Sequence, residues 1–216
     1  MVMSITNITN ITLTQSVIKT SISSLILSDS AITNVINPNN NIQTFISCST
    51  DSLIHVNGLN YSQSQASLML LNNVTGVVDR LNVESVDSIS DMIQIDDSYD
   101  LKLHTLSISN VSSQAGSIVL IKDSAAIEMD NVTISDVYQL VIETSNSQKT
   151  RAHNLSMINC DQGIKITDHS DFQLNSSTFQ NVGNSDVVYG GAIHSTDSIL
   201  IIDDSVFDHC QARQGG

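Results

Sequence analysis

A short pattern of apolar and polar residues recurs along the whole chain about every 24 residues. It is clearest in the segments 131–137, 154–160 and 176–182, which carry a large apolar residue at the same place. That column reads Leu13, Ile32, Tyr61, Val83, Ile108, Ile134, Met157, Phe179 and Phe207. Repeats of this length are typical of solenoids, in which one coil cannot bury its own inner face and the copies must stack.

Further apolar columns accompany the first. Five residues before it stand Ile8, Leu27, Val56, Val78, Leu103, Met129, Ala152, Leu174 and Ile202. The position two residues before it begins at Ile11, and the position three residues after it is mostly valine, with Ser16 and Ser64 as exceptions. Within each copy the apolar residues alternate with period two, slip by one position and then resume. This pattern predicts a short strand, a corner and another short strand.

Polar pairs mark the corners. The slip in each copy falls at Asn57-Gly58, Asp79-Arg80, His104-Thr105, Asp130-Asn131, His153-Asn154, Asn175-Ser176 or Asp203-Asp204. A second set reads Asp51-Ser52, Asp97-Ser98, Asp123-Ser124, Asn146-Ser147, His169-Ser170 and Asp197-Ser198. Asn, Asp and Gly tolerate the left-handed backbone that a sharp bend between strands requires. A third strand is expected before the second set.

The repeat predicts an all-β fold, a single-stranded parallel β-helix in which residues 1–216 form one continuous segment of about nine coils with three short strands each. A leucine-rich repeat is excluded because its L-x-x-L-x-L-x-x-N pattern is absent. Helical repeats are excluded by the period-two alternation and the Ser, Thr, Val and Ile content. The pattern is already running at the first residues and stops within a copy, so we expect a fragment of a longer repeat protein.

Two segments near the C-terminus resemble a known family. Phe179-Gln180-Asn181-Val182 followed by Gly190-Gly191-Ala192-Ile193, and then Phe207–Gly216, are similar to the F-x-x-[NC] and GGAI repeat of polymorphic-outer-membrane-protein-like surface proteins. Those proteins belong to the pectin-lyase-like group of right-handed parallel β-helices. The resemblance implies a right-handed coil and a large extracellular or cell-surface protein whose β-helix serves as stalk, adhesin or filament wall. The composition, rich in Asn, Ser and Ile and without tryptophan, is similar to that of secreted proteins of AT-rich protists.

The charge balance excludes several partners. The chain has 8 basic and 22 acidic residues, giving a formal net charge of −14. Such a chain repels phosphate backbones and anionic lipid heads, so we expect no nucleic acid and no direct membrane insertion. Met1–Asn7 has neither the basic region nor the apolar core of a signal peptide.

Asparagines in N-x-[ST] sequons are the candidate modification sites. The eight candidates are Asn7, Asn10, Asn60, Asn73, Asn110, Asn131, Asn154 and Asn175. None falls in an apolar column. Asn10, Asn131 and Asn154 are expected to share one corner position, where a glycan projects outward.

The three cysteines are expected to be free. Cys160 and Cys210 occupy the same inward column two coils apart, so their Cα atoms are expected about 9.6 Å apart. A disulfide needs less than about 7 Å. Cys48 lies elsewhere on the coil. We therefore expect three free, mostly buried thiols that act as small apolar residues.

Acidic and imidazole side chains alternate in one corner column. The column contains Asp79, His104, Asp130, His153, Asn175 and Asp203. One interpretation is a metal ladder or a pH-sensitive seam; the other is a row of corner residues that avoids like charges on adjacent coils. Asp96-Asp97 and Asp203-Asp204 offer oxygen ligands for Ca²⁺, but no calcium-binding loop motif is present. We predict no metal and no cofactor.

The function predicted is structural or adhesive, in a secreted or cell-surface glycoprotein. The expected partners are further coils of the same chain or like subunits end to end, and other surface or matrix proteins or glycans. The alternative is a polysaccharide-binding or polysaccharide-cleaving β-helix. No residue is nominated as catalytic and no enzyme is predicted, because the basic residues are scattered and no second carboxylate pair stands on an adjacent coil to act as acid and base.

Overall fold

The computed structural model describes residues 7–12, 18–21, 24–36, 44–88, 90–184 and 190–213, and its regular elements are all β-strands. The strands are β1 (Asn7–Thr12), β2 (Ile18–Ser21), β3 (Ser24–Ile36), β4 (Thr44–Ser64), β5 (Ser67–Ser88), β6 (Ile93–Asp96), β7 (Tyr99–Ser113), β8 (Ser117–Lys122), β9 (Ala125–Ser145), β10 (Thr150–Thr167), β11 (Asp171–Asn175), β12 (Thr178–Val182), β13 (Ile193–Ser195), β14 (Ile199–Asp203) and β15 (Val206–Asp208). Within these ranges no helix is long and apolar enough to cross a membrane.

Every strand pair is parallel, and each strand pairs with the same part of the coil one turn later. Tyr61 lies beside Val83, which lies beside Ile108 on the following turn. The chain thus forms a parallel β-solenoid of about seven turns with a spacing of roughly 24 residues. The predicted number was about nine; within the described residues the copies at either end contribute isolated short strands and not full turns.

Each coil has three faces. Face A comprises the segments in register with β6, face B those in register with Tyr99–His104, and face C those in register with Leu106–Ser109. Faces B and C were predicted as separate short strands; in the last two described coils they are separate, but in the coils from β3 to β10 they join into single strands, such as β7, that bend without losing their pairing. Corner AB precedes face B, corner BC separates faces B and C, and corner CA follows face C.

A residue with left-handed backbone stands at each corner of nearly every coil. At corner AB these residues are Asp51, Asn73, Asp97, Asp123, Asn146, His169 and Asp197. At corner BC they are Asp29, Gly58, Arg80, Thr105, Asn131, Asn154, Ser176 and Asp204. At corner CA they are Asn34, Gln63, Ser85, Asn110, Asp136, Asn159, Asn181 and His209. The sequence predicted the first two corners; the third was not predicted.

The predicted central column forms one stack inside face C. Ile32, Tyr61, Val83, Ile108, Ile134, Met157 and Phe179 are buried and follow one another in register. Phe207 continues the stack, with its ring 4.8 Å from that of Phe179, but it is 41% exposed because it lies on the last described coil. Tyr61 satisfies its hydroxyl by donating to the carbonyl of Ala66 at 2.8 Å.

The first copy was placed in the wrong register. Ile8 pairs with Ile32, so it belongs to the central column, and Ile11 pairs with Val35. Leu13 and Ser16, which the sequence assigned to these positions, lie outside the described residues. The physical reason is that isoleucine recurs every three residues in this segment, so several registers direct apolar side chains inward equally well.

Serine hydroxyls form a ladder inside corner AB. The backbone N–H groups of Ser98, Ser124 and Ser147 each donate to the hydroxyl of the serine one turn later, at 3.0 to 3.2 Å. The hydroxyls of Ser98, Ser124 and Ser147 each donate in turn to the carbonyl two residues before them, and that of Ser170 donates to the carbonyl of Thr167. The ladder begins at Val74 N–H and ends at Ser198. These bonds satisfy backbone groups that the bend removes from the strand pairing.

Candidate functional site

Faces A and B both carry charged side chains that point outward from the strands. Glu128 lies between two cations on neighbouring turns: Lys102 Nζ is 3.3 Å from its Oε2, and Arg151 Nη1 is 4.0 Å from its Oε1. All three side chains are substantially exposed, so these ion pairs contribute little to stability. On face A, Lys165 Nζ lies 2.7 Å from Glu143 Oε1. Faces A and B are therefore the charged surfaces of the described solenoid.

Face C carries hydroxyl and amide groups. Its outward residues between corners BC and CA are Ala31, Thr33, Asn60, Ser62, Asn82, Glu84, Ser107, Ser109, Thr133, Ser135, Ser156, Ile158, Thr178, Gln180, Val206 and Asp208. Glu84 and Asp208 are the only ionisable residues at these positions in the described part of the chain. Face C thus differs in charge from face B on the same coils.

The predicted column of acids and histidines is present at corner BC. The register places Asp79, His104, Asp130, His153, Asn175 and Asp203 directly above one another. Among the described residues, no group of three or more His, Cys, Asp or Glu side chains is arranged to hold a metal ion. The structure therefore offers the metal-ladder interpretation no ligand set in the part of the chain that it describes.

Two carboxyl groups have shifted pKa values. Burial raises the pKa of Asp96, which ends β6, while the hydrogen bond from Gln94 Nε2 to its Oδ2 at 2.7 Å acts in the opposite direction. Hydrogen bonds from the Ser145 and Thr167 hydroxyls lower the pKa of Asp168. Asp168 joins neighbouring turns through its bond from Ser145, whereas Asp96 is bonded to Gln94 on its own strand.

The sequon asparagines fall at different places on the coil. Asn60 lies on face C, Asn110 at corner CA, and Asn131 and Asn154 at corner BC; all four are exposed. Asn73 is half-buried at corner AB and donates through Nδ2 to Asp51 Oδ1 at 3.0 Å. Asn175 is half-buried at the end of face B.

The predicted shared corner was partly wrong. Asn131 and Asn154 do occupy one corner column, and Asn154 Nδ2 donates to Asn131 Oδ1 at 2.6 Å. Asn10 does not join them, because the pairs Thr9↔Thr33 and Ile11↔Val35 place it opposite Asn34 at corner CA. Asn7, in the same strand, pairs with Ala31 on face C. The misplaced register of the first copy caused this error.

None of the three cysteines forms a disulfide, as predicted. Cys48 and Cys160 are buried and Cys210 is half-buried. Val182 lies between Cys160 and Cys210, since it pairs with Cys160 and accepts a backbone hydrogen bond from Gln211. Burial raises the pKa of Cys160 to about 11. At neutral pH this thiol is protonated, as expected of a core residue.

Two grooves lie near the last described coils. One, of about 550 Å³, is lined by Asn159, Cys160, Asp161, Asn181, Gly183, His209, Cys210 and Gln211. The other, of about 290 Å³, lies on face B and is lined by Lys149, Thr150, Arg151, Asp171, Phe172, Gln173, Ile199 and Ile201.

The face B groove was not predicted from the sequence. Its unusual feature is a pair of outward isoleucines, Ile199 and Ile201, which are 60% and 53% exposed beside Lys149 and Arg151. The run Ile199–Ile202 is apolar at every position, so its alternation does not indicate which side chains point outward. The groove combines two cations, a carboxylate, an amide and an apolar surface.

Residues 67–215 match the family model described as a right-handed β-helix region. The chain belongs to this family. The match covers more than half of the chain and includes the turns from β5 onward, so the hand of the coil follows from it together with the parallel pairing described above. No curated protein and no solved structure matches the chain.

Proposed function

We propose that this β-helix is a structural or adhesive segment of a large secreted or cell-surface glycoprotein, and not an enzyme. The observation that carries the proposal is the continuity of the interior: the central column and the corner AB serine ladder pass from turn to turn with the same contacts. A scaffold of this kind transmits force along its axis through identical neighbouring interfaces. The resemblance to polymorphic-outer-membrane-protein-like surface proteins of the pectin-lyase-like group supports the same role.

The mechanism is mechanical. Each turn adds parallel backbone hydrogen bonds on three faces and a slice of Ile, Val and Leu core. The ladder adds a hydrogen bond at the corner, where a simple bend leaves backbone groups unpaired. Force applied along the axis must therefore break one turn-to-turn interface at a time.

The last described coil supports a partner at that end. Among the described strands, β14 and β15 each have a neighbour on one side only. Ile202 and Phe207, which continue buried columns, are 45% and 41% exposed there. An unpaired strand edge above exposed apolar side chains favours the addition of another strand. The proposed partner is a further coil, from the same protein or from a like subunit stacked end to end.

Single-molecule pulling tests the mechanical role. The full chain is held by its two ends and stretched, and extension is recorded against force. Coils that yield one at a time release about 80 Å each, from about 24 residues at roughly 3.4 Å per residue. Release of the whole length in one step at the lowest force applied contradicts the proposal. Ser135→Ala, a change on the outside of face C that leaves the ladder intact, is the control and is expected to stretch like the unchanged chain.

The face B groove favours a second candidate, binding of a polysaccharide. Lys149 and Arg151 offer charge for an acidic sugar, while Ile199 and Ile201 offer an apolar surface for a sugar ring. Titration calorimetry with polygalacturonate and with a neutral glucan tests it. Arg151→Gln is expected to weaken binding of the acidic polymer about tenfold, equivalent to about 1.4 kcal/mol. Lys19→Gln, an exposed lysine on face A, is the matched control. Equal effects of the two changes contradict this candidate.

A further inference from the structure

The sequons are segregated around the coil. Seven of the eight lie on face C, at its two corners or at the residue next to corner BC, and Asn73 at corner AB is the exception. Asn60 and Asn7 take face C positions, and Asn110 and Asn10 take corner CA positions. A glycan on Asn60, Asn110, Asn131 or Asn154, the four exposed asparagines of this set, therefore emerges on the same side of the rod.

The backbone geometry of the exposed sequons suits a glycan. In Asn60-Tyr61-Ser62, Tyr61 is buried in the core, so the asparagine and the hydroxyl residue both point outward from face C. In the sequons of Asn110, Asn131 and Asn154 the middle residue is also buried, and the exposed asparagine is the left-handed corner residue. A bulky group on Nδ2 at these positions extends into solvent without disturbing the core.

We propose that face C is the glycan-bearing side of the β-helix, with N-linked oligosaccharides on Asn60, Asn110 and the Asn131/Asn154 pair. The inference rests on the proposed function, because N-glycosylation requires that the protein is secreted or displayed at the cell surface. The donor is a lipid-diphosphate-linked oligosaccharide. Asparagine Nδ2 bonds to C1 of the first sugar as the C1–O bond to the diphosphate breaks. The diphosphate leaves with the bonding electron pair, and a base of the transferring enzyme takes the amide proton.

Steric crowding disfavours glycans on Asn131 and Asn154 at the same time. They stand on adjacent turns, about 4.8 Å apart by the spacing of paired strands. Their amides already touch through the 2.6 Å hydrogen bond. Nδ2 of Asn154 keeps one N–H after glycosylation, so that bond can persist with a glycan on Asn154. Each molecule is therefore expected to carry one glycan at this pair.

A glycan coat has a clear role on this face. The net charge of −14 keeps copies of the chain apart, yet face C contributes little of that charge. Where the C faces of two rods meet, little charge is therefore present to keep them apart. Glycans on face C keep neighbouring rods apart, as charge does on face B. They leave face B and its groove accessible to partners.

Site mapping tests the proposal on protein purified from its natural source. Glycopeptide mass spectrometry is expected to find sugar at Asn60, Asn110 and one of Asn131 or Asn154. Protein without any glycan, or with sugar at Asn73 and none on the face C side, overturns the proposal. The pulling experiment does not depend on glycans, so the mechanical role and the glycan coat can fail separately.

Variants secreted from a eukaryotic host isolate the individual sites. Ser62→Ala removes the Asn60 sequon while leaving the asparagine, and loss of one glycan mass is expected. Thr75→Ala is the matched control at the Asn73 sequon, with no expected loss. Enzymatic removal of all glycans is expected to produce lateral association in light scattering. Deglycosylated protein that remains monomeric overturns the role as a spacer, and a mass loss only in Thr75→Ala overturns the choice of face.

Discussion

The backbone N–H of Ser124 donates to the hydroxyl of Ser147, one turn later in the solenoid, at 3.2 Å. Ser147 is fully buried, and its hydroxyl donates onward to the carbonyl of Ser145 at 2.9 Å. One small side chain thus satisfies groups of two successive turns. The serines that follow the corner residues are interior hydrogen-bonding groups and not surface polar residues.

Replacing Ser147 with alanine is expected to destabilise the fold by about 1 to 3 kcal/mol, because the N–H of Ser124 is left buried without an acceptor. Chemical denaturation followed by circular dichroism measures the change. Ser135→Ala, an outward hydroxyl in β9, is expected to change stability by less than about 0.5 kcal/mol. Equal midpoints for the two variants would mean that the ladder contributes nothing to stability.

Truncation of the central column is expected to cost more inside the rod than at its last described coil. Met157→Ala removes a fully buried side chain and is expected to cost about 2 to 5 kcal/mol. Phe207→Ala removes a larger side chain that is 41% exposed and contacts Phe179 on one side only, so a smaller loss is expected. Urea denaturation of both variants makes the comparison, and a larger loss for Phe207→Ala would show that another group covers its ring.

Stability is expected to fall between about pH 9 and pH 11. Burial raises the pKa of Cys160 from 9.0 to about 11, so in this window the folded chain keeps a proton that the unfolded chain has lost. The contribution, on the order of 2 kcal/mol, is fully present below pH 9 and disappears as the pH rises through the folded-state pKa. Burial also raises the pKa of Tyr61, which acts in the same direction at higher pH.

Thermal unfolding at pH 7, 9 and 10.5 measures this dependence, with Cys160→Val as the control. Valine occupies the same column at Val137 and Val182, so the variant is expected to fold. Its stability should decline less over the window. A variant as alkali-sensitive as the parent chain would assign the effect to other groups.

A side chain is expected to reduce stability much more at Gly76 than at Gly58. A Cβ at Gly76, where φ is +131°, would lie 1.9 Å from the carbonyl oxygen of Ile54, so Gly76→Ala is expected to cost about 2 kcal/mol or more. Gly58 stands at corner BC, where Asn131 adopts the same left-handed backbone. A Cβ at Gly58 would lie 2.6 Å from Oδ1 of Asp29, the end of an exposed side chain that can move, so Gly58→Asn is expected to cost less than Gly76→Ala. Differential scanning calorimetry compares them; an unchanged Gly76→Ala midpoint would show that the turns separate locally.

The sequence predicted the interior well because burial imposes a strict pattern there. From Ile32 to Phe179 the central column was right, since each slip in alternation was marked by a polar pair that fixed the register. The isoleucine run around Ile8 lacked such a mark, and its register was wrong. Ser98 was recognised as a corner residue, but its inward direction follows from the left-handed Asp97 before it, which reverses the alternation.

Surface chemistry was less predictable. The placement of Asn110 at the edge of face C depends on where corner CA falls, and the left-handed residues of that corner are as varied as Gln63, Ser85 and His209. The groove beside Ile199 depends on coils that are distant in sequence and on an apolar run without alternation. The repeat period of the sequence identifies the residues that stack in the interior, because burial requires them to be apolar. Outward side chains share no such requirement, so the period does not show which of them lie together on one face.

The corner ladder also has a direction and a unit of size. Each bond between turns runs from the backbone N–H of one residue to the hydroxyl of a serine one turn later in the chain, and none reaches beyond the adjacent turn. Duplicating or deleting one whole turn at the level of the gene therefore lengthens or shortens the rod without creating a new kind of contact at the seam. A protein built this way can change its reach in fixed increments of about 4.8 Å while its cross-section stays the same.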